Sequence, residues 1–102
     1  MEYITDRTYT IPEIKAIVSP VAESHGVAKV YLFGSYARNE AVGNSDIDLW
    51  IESGEIKTLF AMGGFYADLE ERLRKPIDII TDDAMDDDFY NTIKNEEIAI
   101  YG

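Results

Sequence analysis

The chain predicts an α/β (α+β) fold: a small mixed β-sheet of three or more strands with about four helices packed on it. Three observations carry that expectation. Apolar residues at helical spacing alternate along the chain with short β-rich runs. Gly26, Gly34-Ser35 and Pro76 punctuate the boundaries between them. With 46% hydrophobic and 28% charged residues, the 102-residue chain can fill one modest core, so a single domain over residues 1–102 is expected.

The elements follow in order. Thr10-Ile11-Pro12-Glu13 is a capping-box pattern, with Thr10 as N-cap and Glu13 reaching back. Ile14, Ile17, Val18 and Val21 then recur at helical spacing, and Gly26 is placed to stop the helix. Pro20 removes one backbone donor, so the helix is expected to kink or split there. Residues 27–33 are β-rich and apolar and read as a buried strand. A short helix is expected from Ser35 to Glu40, with Ser35 as its cap. Residues 46–52 alternate, placing Ile47, Leu49 and Ile51 on one face and Asp46, Asp48 and Trp50 on the other. Leu59, Met62, Tyr66, Leu69 and Leu73 mark a third helix, weakened locally by Gly63-Gly64. Pro76 ends it before a strand over 77–81. Residues 86–95 read as a last helix whose acidic start suits the macrodipole.

Composition excludes several classes. There is no cysteine, so disulfides and thiolate metal sites are ruled out, and a reducing cytoplasm fits. The longest apolar runs, such as residues 98–101, are too short to span a bilayer. The first residues, with Glu2 and Asp6, lack the basic-then-apolar order of a signal peptide. Twenty acidic against nine basic residues give a formal charge of −11. Such a surface repels a phosphate backbone, so direct nucleic-acid binding is not expected, whereas a basic protein partner would be attracted.

Two local features carry chemistry. Gly34-Ser35 follows the first strand: glycine lets the backbone approach a phosphate, and the serine hydroxyl adds a donor. Alone, such a pair is as often a plain turn. Asp46-Ile47-Asp48 places two carboxylates on one strand face, about 6.5–7 Å apart. They repel one another unless a cation lies between them, and Mg²⁺ commonly takes one or two carboxylates with substrate phosphates completing its shell. Asp78 interrupts the apolar strand Ile77-Asp78-Ile79-Ile80; a buried unpaired carboxylate is costly, so it should face a cleft, a partner, a metal or solvent. If its strand neighbours the Asp46–Asp48 strand, the three carboxylates form a platform for two metal ions.

Gly34-Ser35, ten intervening residues and Asp46-Ile47-Asp48 together resemble the signature of the nucleotidyltransferase superfamily. Phe33-Gly34-Ser35-Tyr36-Ala37-Arg38 and Ser45-Asp46-Ile47-Asp48-Leu49 resemble in particular the minimal nucleotidyltransferase (MNT) domains, with Asp78 where that family places its third carboxylate. The family usually has glycine after the arginine; here stands Asn39, the next most tolerant residue for a left-handed backbone. The resemblance implies the nucleotidyltransferase fold and a division of roles. Gly34 and Ser35 hold the β- and γ-phosphates of ATP. Asp46 and Asp48 bind Mg²⁺, and Asp78 shares a second ion and helps to activate the attacking hydroxyl. Arg38 contacts the phosphates, ties down the loop over 40–44, or makes a surface ion pair.

So small a chain leaves little room for an acceptor site, which must come from another protein or another copy. The resemblance supplies a candidate: MNT proteins are commonly antitoxins of HEPN-domain ribonuclease toxins and transfer AMP to a toxin tyrosine. Two alternatives stand beside it, a non-catalytic module that blocks the toxin sterically and a nucleotidyltransferase for small molecules such as aminoglycosides. Other residues receive plainer readings. His25 favours a helix C-terminus. Tyr36 stacks on a base or packs over the short helix. Trp50 borders the nucleotide, a partner surface or the core. The aspartates at 82, 83, 86, 87 and 88 form a solvated helix entry.

Overall fold

Thr10 caps α1 (Ile11–Ser24) as its sequence pattern requires: its side chain accepts from the Glu13 N–H, and the Glu13 carboxylate accepts from the Thr10 N–H at 2.8 Å. The structure, a computed structural model, describes residues 5–102; Glu2 lies outside that range. α1 runs unbroken through Pro20, so the expected split does not occur. Pro20 is exposed, and one missing donor is outweighed by burial of Ile14, Val18, Val21 and Ala22 on the opposite face. At the far end Gly26, with φ +74°, turns the chain out of the helix.

Strand β1 (Lys29–Phe33) follows, then the short α2 (Gly34–Ala37). α2 starts one residue before Ser35 and stops three before Glu40, with Phe33 at the N-cap position and no side-chain cap. Ser35 is therefore not a cap. The stop comes from Asn39, which adopts φ +59° and reverses the backbone. The left-handed turn tolerated by asparagine is the one formed.

Strand β2 (Ile47–Glu52) leads to α3 (Leu59–Leu73), capped by Thr58, whose hydroxyl accepts from the Ala61 N–H. Gly63-Gly64 does not interrupt it. Arg74, at φ +56°, ends α3, and β3 (Ile77–Thr81) returns parallel to β2. A 3₁₀ turn (Asp82–Ala84) precedes α4 (Asp87–Ile93), capped by Asp86, which accepts from the Phe89 N–H. The last apolar run is a fourth strand, β4 (Ile98–Tyr101), paired antiparallel with β1.

The sheet order is β3-β2-β1-β4, with β1 and β2 antiparallel and β2 and β3 parallel. Its side-chain parity makes two cores. Val30, Leu32, Ile47, Leu49 and Ile51 face α1 and α3, and each is fully buried. On the opposite face Phe33, Trp50 and Ile93 form a smaller cluster beneath α4, with Tyr31 stacked on Trp50 at 4.3 Å between ring centroids. This second cluster positions the site, because it holds α4 and the turn after it against the ends of β1 and β2. Among the described residues no helix is long and apolar enough to cross a membrane.

Candidate active site

The site lies where β1 passes into α2. Antiparallel pairing sets Phe33 opposite Asp48, so the Gly34 backbone arrives beside the Asp48 carboxylate. A Cβ on Gly34 would stand 2.2 Å from Asp48 Oδ2, and the residue has φ +77°. Only glycine satisfies both demands. The approach of phosphate turn and acidic strand is thus built into the backbone.

Asp48 is half-buried on β2, and Asp46 is exposed just before that strand. Parallel pairing of β2 with β3 puts Asp78 directly across from Asp48. Asp48 is pushed up to about 6, first by burial, then by the charge of Asp78 and a hydrogen bond shared with it, and then by the charge of Asp46. The structure therefore brings all three predicted carboxylates into one electrostatic neighbourhood. Asp78 itself is exposed and sits beside the adjoining cleft rather than in its lining.

That cleft has a volume of about 460 Å³ and is lined by Gly34, Ser35, Arg38, Asp46, Asp48 and Glu96 among others. Arg38 is part of that lining. Its Nε donates to Glu40 Oε1 at 3.0 Å, and its Nη1 donates to Glu96 Oε1 at 3.1 Å. The Glu40 and Glu96 carboxylates raise the guanidinium pKa above its ordinary value. Of the readings open for Arg38, ion pairing is the one formed here, and it includes a partner in the 40–44 loop. The Gly34 N–H donates to Glu96 Oε2 at 2.7 Å.

Two further residues were outside the sequence reading. Glu96 lies 62 positions from Gly34, and no local pattern marks it. Lys75 is wholly buried, donating from Nζ to Gly43 O at 2.6 Å and to Thr5 O at 3.1 Å; burial pushes its pKa down. It thereby pins the loop that carries Asp46. The Lys-Pro step before β3 is a faint signal for it, since Pro76 O accepts from the Ile47 N–H in the same corner.

Other expectations resolve simply. Trp50 packs in the second core, and its Nε1–H donates to Glu97 at 2.7 Å; it does not line the cleft. Tyr36 is buried in the main core. His25 Nε2 lies 2.7 Å from Asp68 Oδ2 and ties α1 to α3. Among the described residues no three His, Cys, Asp or Glu side chains are gathered tightly enough to hold a metal ion alone. A cation here would need oxygens from a second source.

Chemically, the arrangement sets donors for an anion beside mutually repelling carboxylates, within one cleft. Comparison with known proteins gives a family and a fold. Residues 15–102 match the family model described as "Polymerase beta, Nucleotidyltransferase". Over 90 residues the chain is 39% identical to "Putative protein adenylyltransferase MJ0435" of Methanocaldococcus jannaschii, covering 88% of this chain and 97% of that protein. It is 27% identical over 95 residues to protein adenylyltransferase MntA of Thermococcus cleftensis, covering 89% and 96%. Its fold is shared with the solved structure of a tri-AMPylated HEPN toxin of Shewanella oneidensis in complex with MNT antitoxin. There the TM-score is 0.66 at 15% identity, with 87% of this chain and 70% of that chain covered.

Proposed function

The chain belongs to the polymerase beta nucleotidyltransferase family, and from that premise we propose that it is a protein adenylyltransferase serving as antitoxin to a HEPN ribonuclease. It transfers AMP from ATP to a tyrosine of that toxin. The observation that carries this reading is the in-register pair Asp48 and Asp78 set against the Gly34 turn. A domain that only folded and bound would gain nothing from a carboxylate held against its own kind.

Each residue takes a role from its position. The Gly34 N–H, the Ser35 hydroxyl and the Arg38 guanidinium receive the β- and γ-phosphate oxygens. Asp46 and Asp48 would hold Mg²⁺, and Asp78 would share a second ion. Hard oxygens in mutual repulsion suit a dication that phosphates then complete; the Asp48 pKa is raised by burial first and by that repulsion second. When bound, magnesium neutralises charge on the triphosphate and on the attacking oxygen. Asp78, exposed beside the cleft, orients the tyrosine hydroxyl and accepts its proton. The tyrosine oxygen then forms a bond to the α-phosphorus as the bond to the β-phosphate oxygen breaks, and pyrophosphate leaves. Ordering of the reactants by these groups supplies much of the rate.

A second protein supplies the acceptor, because the cleft is open to solvent and a 102-residue chain leaves little room for an acceptor site of its own. A surface charge of −11 favours a basic partner such as an RNA-cutting enzyme. A cytoplasmic location, where ATP is supplied, fits this reading. Intact-mass analysis of the co-expressed HEPN protein tests the proposal: increments of AMP mass are expected with the wild-type chain and none with Asp46→Ala. Full neutralisation of the toxin by an Asp46→Ala protein that folds and binds would refute the catalytic mechanism and favour steric blocking.

A further inference from the structure

Glu96 stands in the turn between α4 and β4, and its carboxylate occupies two of the three donors just assigned to phosphate, leaving the Ser35 hydroxyl aside. Oε2 accepts from the Gly34 N–H at 2.7 Å, and the Arg38 Nη1 donates to Oε1 and Oε2 at 3.1 and 3.3 Å. A carboxylate oxygen and a phosphate oxygen are equivalent acceptors for such donors. The single N–H of Gly34 cannot serve both at full strength. Glu96 also brings a negative charge to a cleft already carrying Asp46 and Asp48, so it opposes an arriving polyphosphate by its field as well as by its position.

We infer that Glu96 is a built-in competitor for the phosphate seat, exchanged for the nucleotide on binding, and that it sets which anions can enter. This rests on the nucleotidyltransferase reading above. A triphosphate that arrives with its divalent cation brings charge compensation and several oxygens to replace the bonds Glu96 gives up. A lone monoanion brings neither. The same exchange run backwards returns Glu96 to Gly34 as the phosphates depart and so favours product release.

The turn carries its own reporter. Glu97, the next residue, accepts from Trp50 Nε1 at 2.7 Å, and the N–H groups of Glu96 and Glu97 both donate to Ile93 O. Trp50 is the single tryptophan of the chain. Movement of Glu96 out of its seat therefore alters the environment of the indole.

The test is calorimetric binding of AMP-PNP with Mg²⁺ to the full chain, as wild type, Glu96→Gln, Glu96→Ala and Glu40→Gln. If the seat is closed about nine-tenths of the time, freeing it tightens apparent affinity about tenfold. Both Glu96 variants are expected to show that gain. Glu40→Gln removes an equal charge beside Arg38 without touching Gly34, and is expected to stay within about twofold. In the nucleotide-free protein the Gly34 amide proton should move upfield in Glu96→Gln, and AMP-PNP should shift the wild-type Trp50 emission. Equal or weaker binding by both Glu96 variants, with wild type still binding, overturns the role of Glu96 and leaves the enzymatic reading intact. A gain in Glu40→Gln as large as in Glu96→Gln overturns it too, since charge alone would then explain the effect. Failure of every protein to bind AMP-PNP overturns the nucleotidyltransferase reading and the exchange with it.

Discussion

Replacing Asp48 with asparagine should stabilise the metal-free protein while abolishing its activity. The folded protein holds the Asp48 proton more tightly than the unfolded chain, because its pKa is raised from 3.8 to about 6. A pKa raised in the folded state means stability is full below the unfolded value and is lost as pH climbs through the folded one. At pH 7.5 the ionised carboxylate therefore opposes folding. A shift of that size corresponds to ~3 kcal/mol without screening. Asp48 is only half-buried, and solvent screening reduces the effect to about 1 kcal/mol. Asparagine keeps the shape, removes the charge and can still donate to Asp78. Thermal unfolding in chelator at pH 7.5 should show Asp48→Asn melting higher by roughly 4–8 °C. The gap should close as pH falls from 6 towards 4, where the wild-type carboxylate is protonated. Magnesium added together with AMP-PNP, whose phosphates supply the missing oxygens, should then raise the wild-type midpoint more than the variant's. A variant less stable than wild type at pH 7.5 in chelator, or a gap that does not depend on pH, would refute the claim that Asp48 is held against its neighbours.

Two other substitutions probe the frame around that carboxylate. Gly34→Ala drives a methyl into Asp48 Oδ2 and forces an L-residue to φ +77°, so a loss of about 1–3 kcal/mol is expected in urea unfolding, with AMP-PNP binding lost in calorimetry. Gly63→Ala acts in the opposite direction: on α3 its new Cβ meets no atom within 4 Å, so stability should rise by about 0.5–1 kcal/mol by the same unfolding assay, with adenylylation of the partner unchanged.

Reading along the chain worked where a residue's role depends on its near neighbours. Thr10 and Glu13 are three apart, and the capping box needs nothing else. Asn39 takes the left-handed turn because its own short side chain tolerates it. The alternation from Ile47 to Ile51 assigned each side chain its face, and the sheet keeps that assignment. Local reading failed at Ser35, because the turn into α2 begins on Gly34, where the close approach to Asp48 decides the backbone. It also left residues 98–101 unassigned, since four apolar residues suit a buried strand or the end of a helix equally. Pairing with β1 resolves them, and that pairing is a contact with a distant segment.

The amino-acid order alone determined the helices and the first three strands, their inward faces, and the fixed distance between a glycine turn and two carboxylates, because helical and strand periods and left-handed turns are short-range properties. Only the tertiary structure decided that β3 lies parallel to β2 and so sets Asp78 against Asp48. It alone brings Glu96 back across 62 residues onto the Gly34 N–H and encloses Lys75 behind the Asp46 loop. Those contacts arise from how α3 crosses between parallel strands and how α4 packs on Phe33 and Trp50. Burial of apolar surface drives that packing without regard to sequence distance, so no spacing along the chain encodes it.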